Sequence, residues 1–264
     1  MNNTLPAKSI NKYLLGAVLS LTTVLASSST MATIVQFETN HGSFEVNLYD
    51  QGTPNTVANF LEYVNADAYR NTIIHRSKSN FVIQGGGFAY NEQWPVVPID
   101  KNTPVNNEPV YSNIKGTIAM AKGLDPDGAT NQWFFNLRDN TALDYDINSL
   151  GYSVFGEVTG DGMAIIEQIA ALPTYSDFAG LSGLSALTDL PMQNYSAGDT
   201  PDNTNLVVIY RITILDAAED TAVNLNPKLN TKAQSSTSSS SGGGALSGLL
   251  IGLFLFIRLN RRNR

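Results

Sequence analysis

The chain has 264 residues, 42% of them apolar, with 23 acidic against 16 basic residues and a formal charge of −7. That is enough apolar mass for a full core, in one domain or two. The acidic balance argues against nucleic acid, whose phosphates call for a basic footprint. The absence of cysteine excludes disulfides, thiolate nucleophiles and the common structural zinc sites.

Residues 1–32 read as an export signal. Lys8 and Lys12 supply the positive start, residues 13–26 the apolar middle, and Thr30-Met31-Ala32 small residues at the cleavage point, with Ala26 as the alternative. A retained N-terminal anchor is disfavoured, because the apolar run is shorter than the roughly 20 residues a span needs. Residues 33–39 and 43–49 then alternate apolar and polar side chains around Asn40-His41-Gly42, which predicts a hairpin with His41 in a solvated turn. From Thr53 the period changes. Thr53 followed by Pro54 predicts an N-cap and first helical residue, and Val57, Phe60, Leu61 and Val64 fall on one face of a helix of about three turns.

Residues 72–87 predict strand, turn and strand: Ile73-Ile74 and Phe81-Val82-Ile83 flank a polar turn over residues 77–80, and three glycines follow. Those glycines suit tight turning or close approach of another backbone. Residues 89–111, with four prolines, read as an irregular connection. Residues 116–122 and 131–136 are short strands, separated by an Asp125-Pro126-Asp127-Gly128 turn that lacks the further ligands of a calcium loop. One of Phe134 and Phe135 belongs to the core, since neighbours on a strand face opposite ways. Residues 161–171 predict a second helix, with Met163, Ile166 and Ile169 on one side. Residues 172–205 read as a long loop and residues 206–215 as the closing strand. After the domain at 33–220 comes a Ser/Thr/Gly-rich linker, 221–244, which cannot bury a core. A 13-residue apolar stretch at 245–257 and four arginines end the chain.

The run His-Arg, Phe-Val-Ile-Gln-Gly-Gly, Ile-Ala-Met-Ala, Asn-Gln-Trp-Phe-Phe, Leu-Asp and Val-Phe-Gly, in this order over residues 75–156, resembles the cyclophilin family of peptidyl-prolyl isomerases. With Tyr152 where many eukaryotic members have histidine, it looks most like the bacterial secreted branch. The resemblance implies a mainly β fold, a closed eight-stranded antiparallel barrel capped by two α-helices, with the site on its outer surface. It implies that Arg76 is the catalytic donor to the prolyl nitrogen and that Gln84 holds the substrate backbone and helps place the guanidinium. Phe81, Val82, Phe134 and Leu143 would line the proline pocket. Ala121 and Asn131 would contact the residues preceding the proline, and Tyr152 would close the rim. No cofactor or metal is required. The implied partners are proline-containing polypeptides, and the rival reading is a proline-peptide binding module without catalysis, displayed at the cell surface. Ala142 stands where many eukaryotic members carry a tryptophan, which implies weak cyclosporin binding.

Two further residues are read as structural: Trp133 as packing, and His75 as a core or hydrogen-bonded histidine facing away from Arg76. The serine-rich stretch, glycines, short apolar run and basic end resemble bacterial Gly-Gly sorting tails cut by a rhomboid-like protease. The expected location is therefore the periplasm or cell surface of a Gram-negative bacterium. Membrane contact through the tail would be transient, or permanent if the tail stays.

Overall fold

The computed structural model describes residues 1, 33–145, 147, 149–178, 180–181, 184–216 and 225–232. The export signal and the C-terminal apolar stretch lie outside the described residues, as does the linker apart from 225–232. Among the described residues no helix is long and apolar enough to cross a membrane.

The strands are β1 (Ile34–Thr39), β2 (Gly42–Leu48), β3 (Thr72–Ile73), β4 (Arg76–Lys78), β5 (Val82–Gly85), β6 (Phe88–Ala89), β7 (Val97–Pro98), β8 (Thr117–Met120), β9 (Trp133–Asn136), β10 (Val154–Val158), β11 (Thr174–Tyr175), β12 (Leu190–Pro191) and β13 (Val208–Asp216). The helices are α1 (Pro54–Asn65) and α2 (Gly162–Ala170). Eleven strands form one antiparallel sheet in the order β4-β5-β9-β8-β10-β2-β1-β13-β3-β6-β7, and β11 pairs with β12 apart from it.

Among the described residues this is a mainly β fold with two α-helices, but the sheet is a curled half-barrel and not the closed eight-stranded barrel expected. The reason lies at Ile74-His75. The Ile74 amide donates to Val207 on the β13 side, and the His75 amide donates to Gln84 on β5, both at 3.0 Å. One bent segment therefore supplies β4, at one edge of the sheet, and β3, beside β13 and third from the other edge. The seam is crossed by the chain itself, with no ladder between β3 and β4.

The β1–β2 hairpin pairs Phe37 with Phe44 and Thr39 with Gly42. Its turn is pinned from outside: the Asn40 side chain donates to Leu206 O at 2.8 Å and accepts from the Val208 amide at 3.0 Å. His41 is half-buried there, not solvated. Inside the curl Phe37 stacks on Phe44 (5.0 Å) and meets Trp133 (5.2 Å) and Phe135 (5.5 Å) edge-on. Each such pair contributes about 0.5–1.5 kcal/mol beyond burial. Phe60 from α1 and Ile166 and Ile169 from α2 join the same core.

Two local expectations are corrected. Thr53 precedes α1 but makes no side-chain cap hydrogen bond. Glu108 caps the helix instead: its carboxylate accepts from the amides of Asn55 (3.3 Å) and Thr56 (2.8 Å) and from the Thr56 hydroxyl (2.7 Å). A carboxylate suits the unpaired amides and positive dipole end of a helix better than a hydroxyl does. Nor is the stretch from 172 to 205 merely a loop. Phe178, Leu184, Leu187, Leu190 and Met192 bury themselves with Phe88, Tyr90 and Leu206 in a second apolar cluster beside the first.

Within the span read as a linker, residues 225–232 lie along 110–113. The Ser112 amide donates to Lys228 O, the Asn230 amide donates to Val110 O, and the buried Asn230 side chain donates to Pro109 O and Asp144 O.

Candidate active site

Cross-strand register builds the site. Arg76 on β4 lies opposite Gln84 on β5, Gln84 opposite Phe134 on β9, and Phe134 opposite Ala119 on β8. Residues opposed in this way share a face, so one row runs from a cation through an amide to an aromatic ring on the outer side of the sheet. The alternate residues, Ile83, Trp133 and Phe135, point into the core. Of the two neighbouring phenylalanines it is thus Phe135 that belongs to the main core.

A pocket of about 160 Å³ opens over this row. Arg76 and Gln84 border it, together with Phe81, Val82, Phe134 and Leu143. Ala121 and Tyr152 complete the expected lining. Phe134 is only 4% exposed and meets Tyr152 edge-on at 5.7 Å, so the aromatic wall is fixed before any ligand arrives. Asn140 donates to Phe81 O at 2.8 Å and holds the turn that carries Phe81. The Tyr152 amide donates to Leu143 O at 3.1 Å and ties the rim to the wall.

The guanidinium is held from two sides. Arg76 Nη1 donates to Gln84 Oε1 at 3.5 Å, and Gln84 Nε2 donates to Gln132 Oε1 at 2.8 Å. Arg76 Nε lies 3.6 Å from the Asp189 carboxylate. Lys122 also lines the pocket; its ammonium donates to Ser149 O and sits 5.3 Å over the Tyr152 ring. Burial lowers the Lys122 pKa, partly offset by Asp127 and Asp125.

Asn131 is not brought to the pocket. Strand alternation puts it on the core side with Trp133, where it is 1% exposed and its carbonyl accepts from the Tyr69 hydroxyl at 2.8 Å. Gln132 takes the outward position. Sequence reasoning missed it, although the spacing of two from Phe134 signals the same face. Lys122 and Asp189 were missed too; Asp189 carries no local signal at all. His75 faces away from the pocket, fully buried and edge-on to Phe88 at 5.1 Å. Gln132 turns a polar group toward the ring, but no well-formed hydrogen bond reaches either nitrogen. Burial, reinforced by Arg76 and eased by nearby Gln132, depresses its pKa to about 3.

The family model for cyclophilin type peptidyl-prolyl cis-trans isomerase/CLD matches residues 34–182, more than half of the chain. The chain belongs to this family. A peptidyl-prolyl cis-trans isomerase of Acinetobacter baylyi is 42% identical over 154 residues, 57% of this chain and 79% of that one. Peptidyl-prolyl cis-trans isomerase B of Escherichia coli is 38% identical over 164 residues, 61% of this chain and 94% of that one. A solved cyclophilin type isomerase of Cryptosporidium parvum covers 70% of this chain and 98% of its own at 18% identity, with a TM-score of 0.49. The activity of this cyclophilin is peptidyl-prolyl cis-trans isomerisation. The chemistry is rotation about an amide with partial double-bond character, over a barrier of about 18–20 kcal/mol. It requires no nucleophile and no proton transfer to substrate. What it requires is a grip on the proline ring and an electrostatic partner for the nitrogen as it leaves the amide plane.

Proposed function

We propose that Arg76 is the donor to the prolyl nitrogen and that the apolar pocket beside it grips the proline ring. The observation that carries this reading is the row Arg76, Gln84, Phe134, which sets a permanent cation against a preformed aromatic wall. As the C–N bond twists, the nitrogen gains a lone pair that the planar amide withholds. A guanidinium favours that state selectively, because it is always charged and its donors are fixed in a plane. Gln84, itself oriented by Gln132, holds the guanidinium and presents polar atoms to the substrate backbone. Ala121 lies where residues preceding the proline would pass, and Tyr152 closes the rim.

The test is Arg76→Ala in a protease-coupled assay on an Ala-Pro peptide. Losing one such donor costs about 2.7–4 kcal/mol, a drop of roughly 10²–10³ in rate. A fall of less than about tenfold with an unchanged melting temperature refutes the assignment.

The clients are proline-containing polypeptides, and the basic start and apolar run over residues 1–32 support a role in folding exported proteins. The Gly-Gly tail supports sorting with removal over a permanent anchor. Its 13-residue apolar stretch reaches about 20 Å as a helix, against a hydrocarbon core of about 30 Å. The intact mass of the native protein decides between them: a mass that still includes residues 245–264 overturns removal. Ala142 is exposed on the turn that carries Leu143 and offers neither an indole surface nor an N–H. Cyclosporin therefore binds weakly, and Ala142→Trp tightens it in calorimetry; tight binding by the unaltered protein refutes this placement.

A further inference from the structure

The segment between α2 and β13 reaches back to the site. Asp189 places its carboxylate 3.6 Å from Nε of Arg76, while its backbone carbonyl accepts from the Ser77 amide at 2.7 Å. That second contact covers β4, the end strand of the sheet. Leu187 and Leu190, on either side of Asp189, are fully buried in the second apolar cluster. The Thr188 hydroxyl donates to the same carboxylate oxygen at 3.2 Å. Asp189 is thus fixed through its neighbours, its backbone and its own side chain. It lies beyond residue 182, where the match to the family model ends.

We propose that Asp189 is a positioning residue for Arg76, holding the guanidinium by its Nε edge so that the Nη groups stay turned to the pocket. This rests on the reading of Arg76 as the donor. Two effects of the carboxylate oppose each other. Its charge weakens the pull of the guanidinium on the prolyl nitrogen, and its position restrains the guanidinium. The two side chains are 30% and 28% exposed, so water screens the first effect. The second runs through the same screened pair, but the backbone and neighbours of Asp189 fix where that pair can form. Both anchors of Arg76 are long: Gln84 at 3.5 Å is at the end of hydrogen-bond range, and Asp189 at 3.6 Å is an ion pair, so neither alone fixes the guanidinium. A displaced catalytic group costs turnover directly, up to about 10²-fold for 1 Å. Restraint therefore outweighs charge, and the net gain in turnover is small, as for other half-exposed pairs.

The experiment measures kcat and KM separately for the wild type, Asp189→Asn, Arg76→Ala and the double variant, with melting temperatures alongside. Asp189→Asn is expected to lower kcat about two- to fivefold, the range of exposed ion pairs, with KM nearly unchanged. In the Arg76→Ala background the same change is expected to do nothing. Asp189→Ser carries the same expectation and serves if the asparagine variant melts early. An equal loss with and without Arg76 overturns the proposal, because it marks a merely structural role. So does an unchanged or raised kcat in Asp189→Asn while Arg76→Ala is severely impaired; that result leaves the donor assignment standing. A nearly active Arg76→Ala overturns both.

Discussion

Lowering the pH asks His75 to take up a proton that its native surroundings refuse. Its ring is fully buried against Phe88, with no well-formed hydrogen bond beyond the approach of Gln132, and next to the Arg76 cation. The folded pKa is pushed down to about 3 from an ordinary 6.5. The unfolded chain therefore binds the proton first. Stability from this group is fully present above the unfolded value, is lost as pH falls below it, and stops falling near the folded value. Between about pH 7.5 and about pH 5 the linkage integral gives a loss of about 2 kcal/mol, nearly independent of the exact folded value. Urea unfolding at those two pH values measures it, in the wild type and in His75→Phe, which fills the same apolar slot. The wild type is expected to lose about 2 kcal/mol more than the variant across the interval. His41, whose pKa is also lowered by burial, is present in both proteins and cancels. Equal losses in the two proteins refute the account of His75 as a neutral, buried core group.

Two further changes test the scaffold. Glu108→Ala removes the remote cap of α1 and is expected to cost about 1–2 kcal/mol, lowering the melting temperature by several degrees; an unchanged melt by calorimetry refutes the capping role. Gly86→Ala places a methyl carbon 2.6 Å from Asn131 O and 2.7 Å from Trp133 Nε1 at a φ of +76°. A left-handed alanine and an overpacked core together cost about 2–4 kcal/mol, read as a shift in urea midpoint, and a neutral result contradicts the close approach.

Much of the scaffold was legible because it is periodic. Alternation around Asn40-His41-Gly42 located the first hairpin, and the helical spacing of Val57, Phe60 and Val64 located α1. Neighbour alternation put one of Phe134 and Phe135 in the core, and the ordered motifs from His75 to Gly156 carried Arg76, Gln84 and the pocket residues other than Asn131. What escaped was polar pairing at long range. Glu108 caps a helix 53 residues earlier in the chain. Asp189 reaches Arg76, and Asn230 reaches Asp144, across still longer separations. Complementarity between two remote side chains leaves no trace in a window of either. The second cluster escaped for a related reason: Phe178, Leu184, Leu187, Leu190 and Met192 follow neither a period of two nor of 3.6. Asn131 was misplaced where a family role outweighed strand alternation, which on its own assigns that face to Gln132.

The main core and the second apolar cluster each carry one of the chain's two tryptophans. Trp133 is fully buried among Phe37, Tyr69 and Phe135, while Trp94 lies half-buried against Phe178 at 4.7 Å. Indole emission shifts with the polarity around it, so each cluster carries its own optical reporter. Replacing one indole by phenylalanine leaves a protein whose fluorescence follows the melting of a single cluster. Coincident curves would mean that the segment holding Asp189 unfolds with the sheet, as one cooperative unit. A lower midpoint for Trp94 would mean that it peels away first, as an independent unit, and takes its hold on β4 with it.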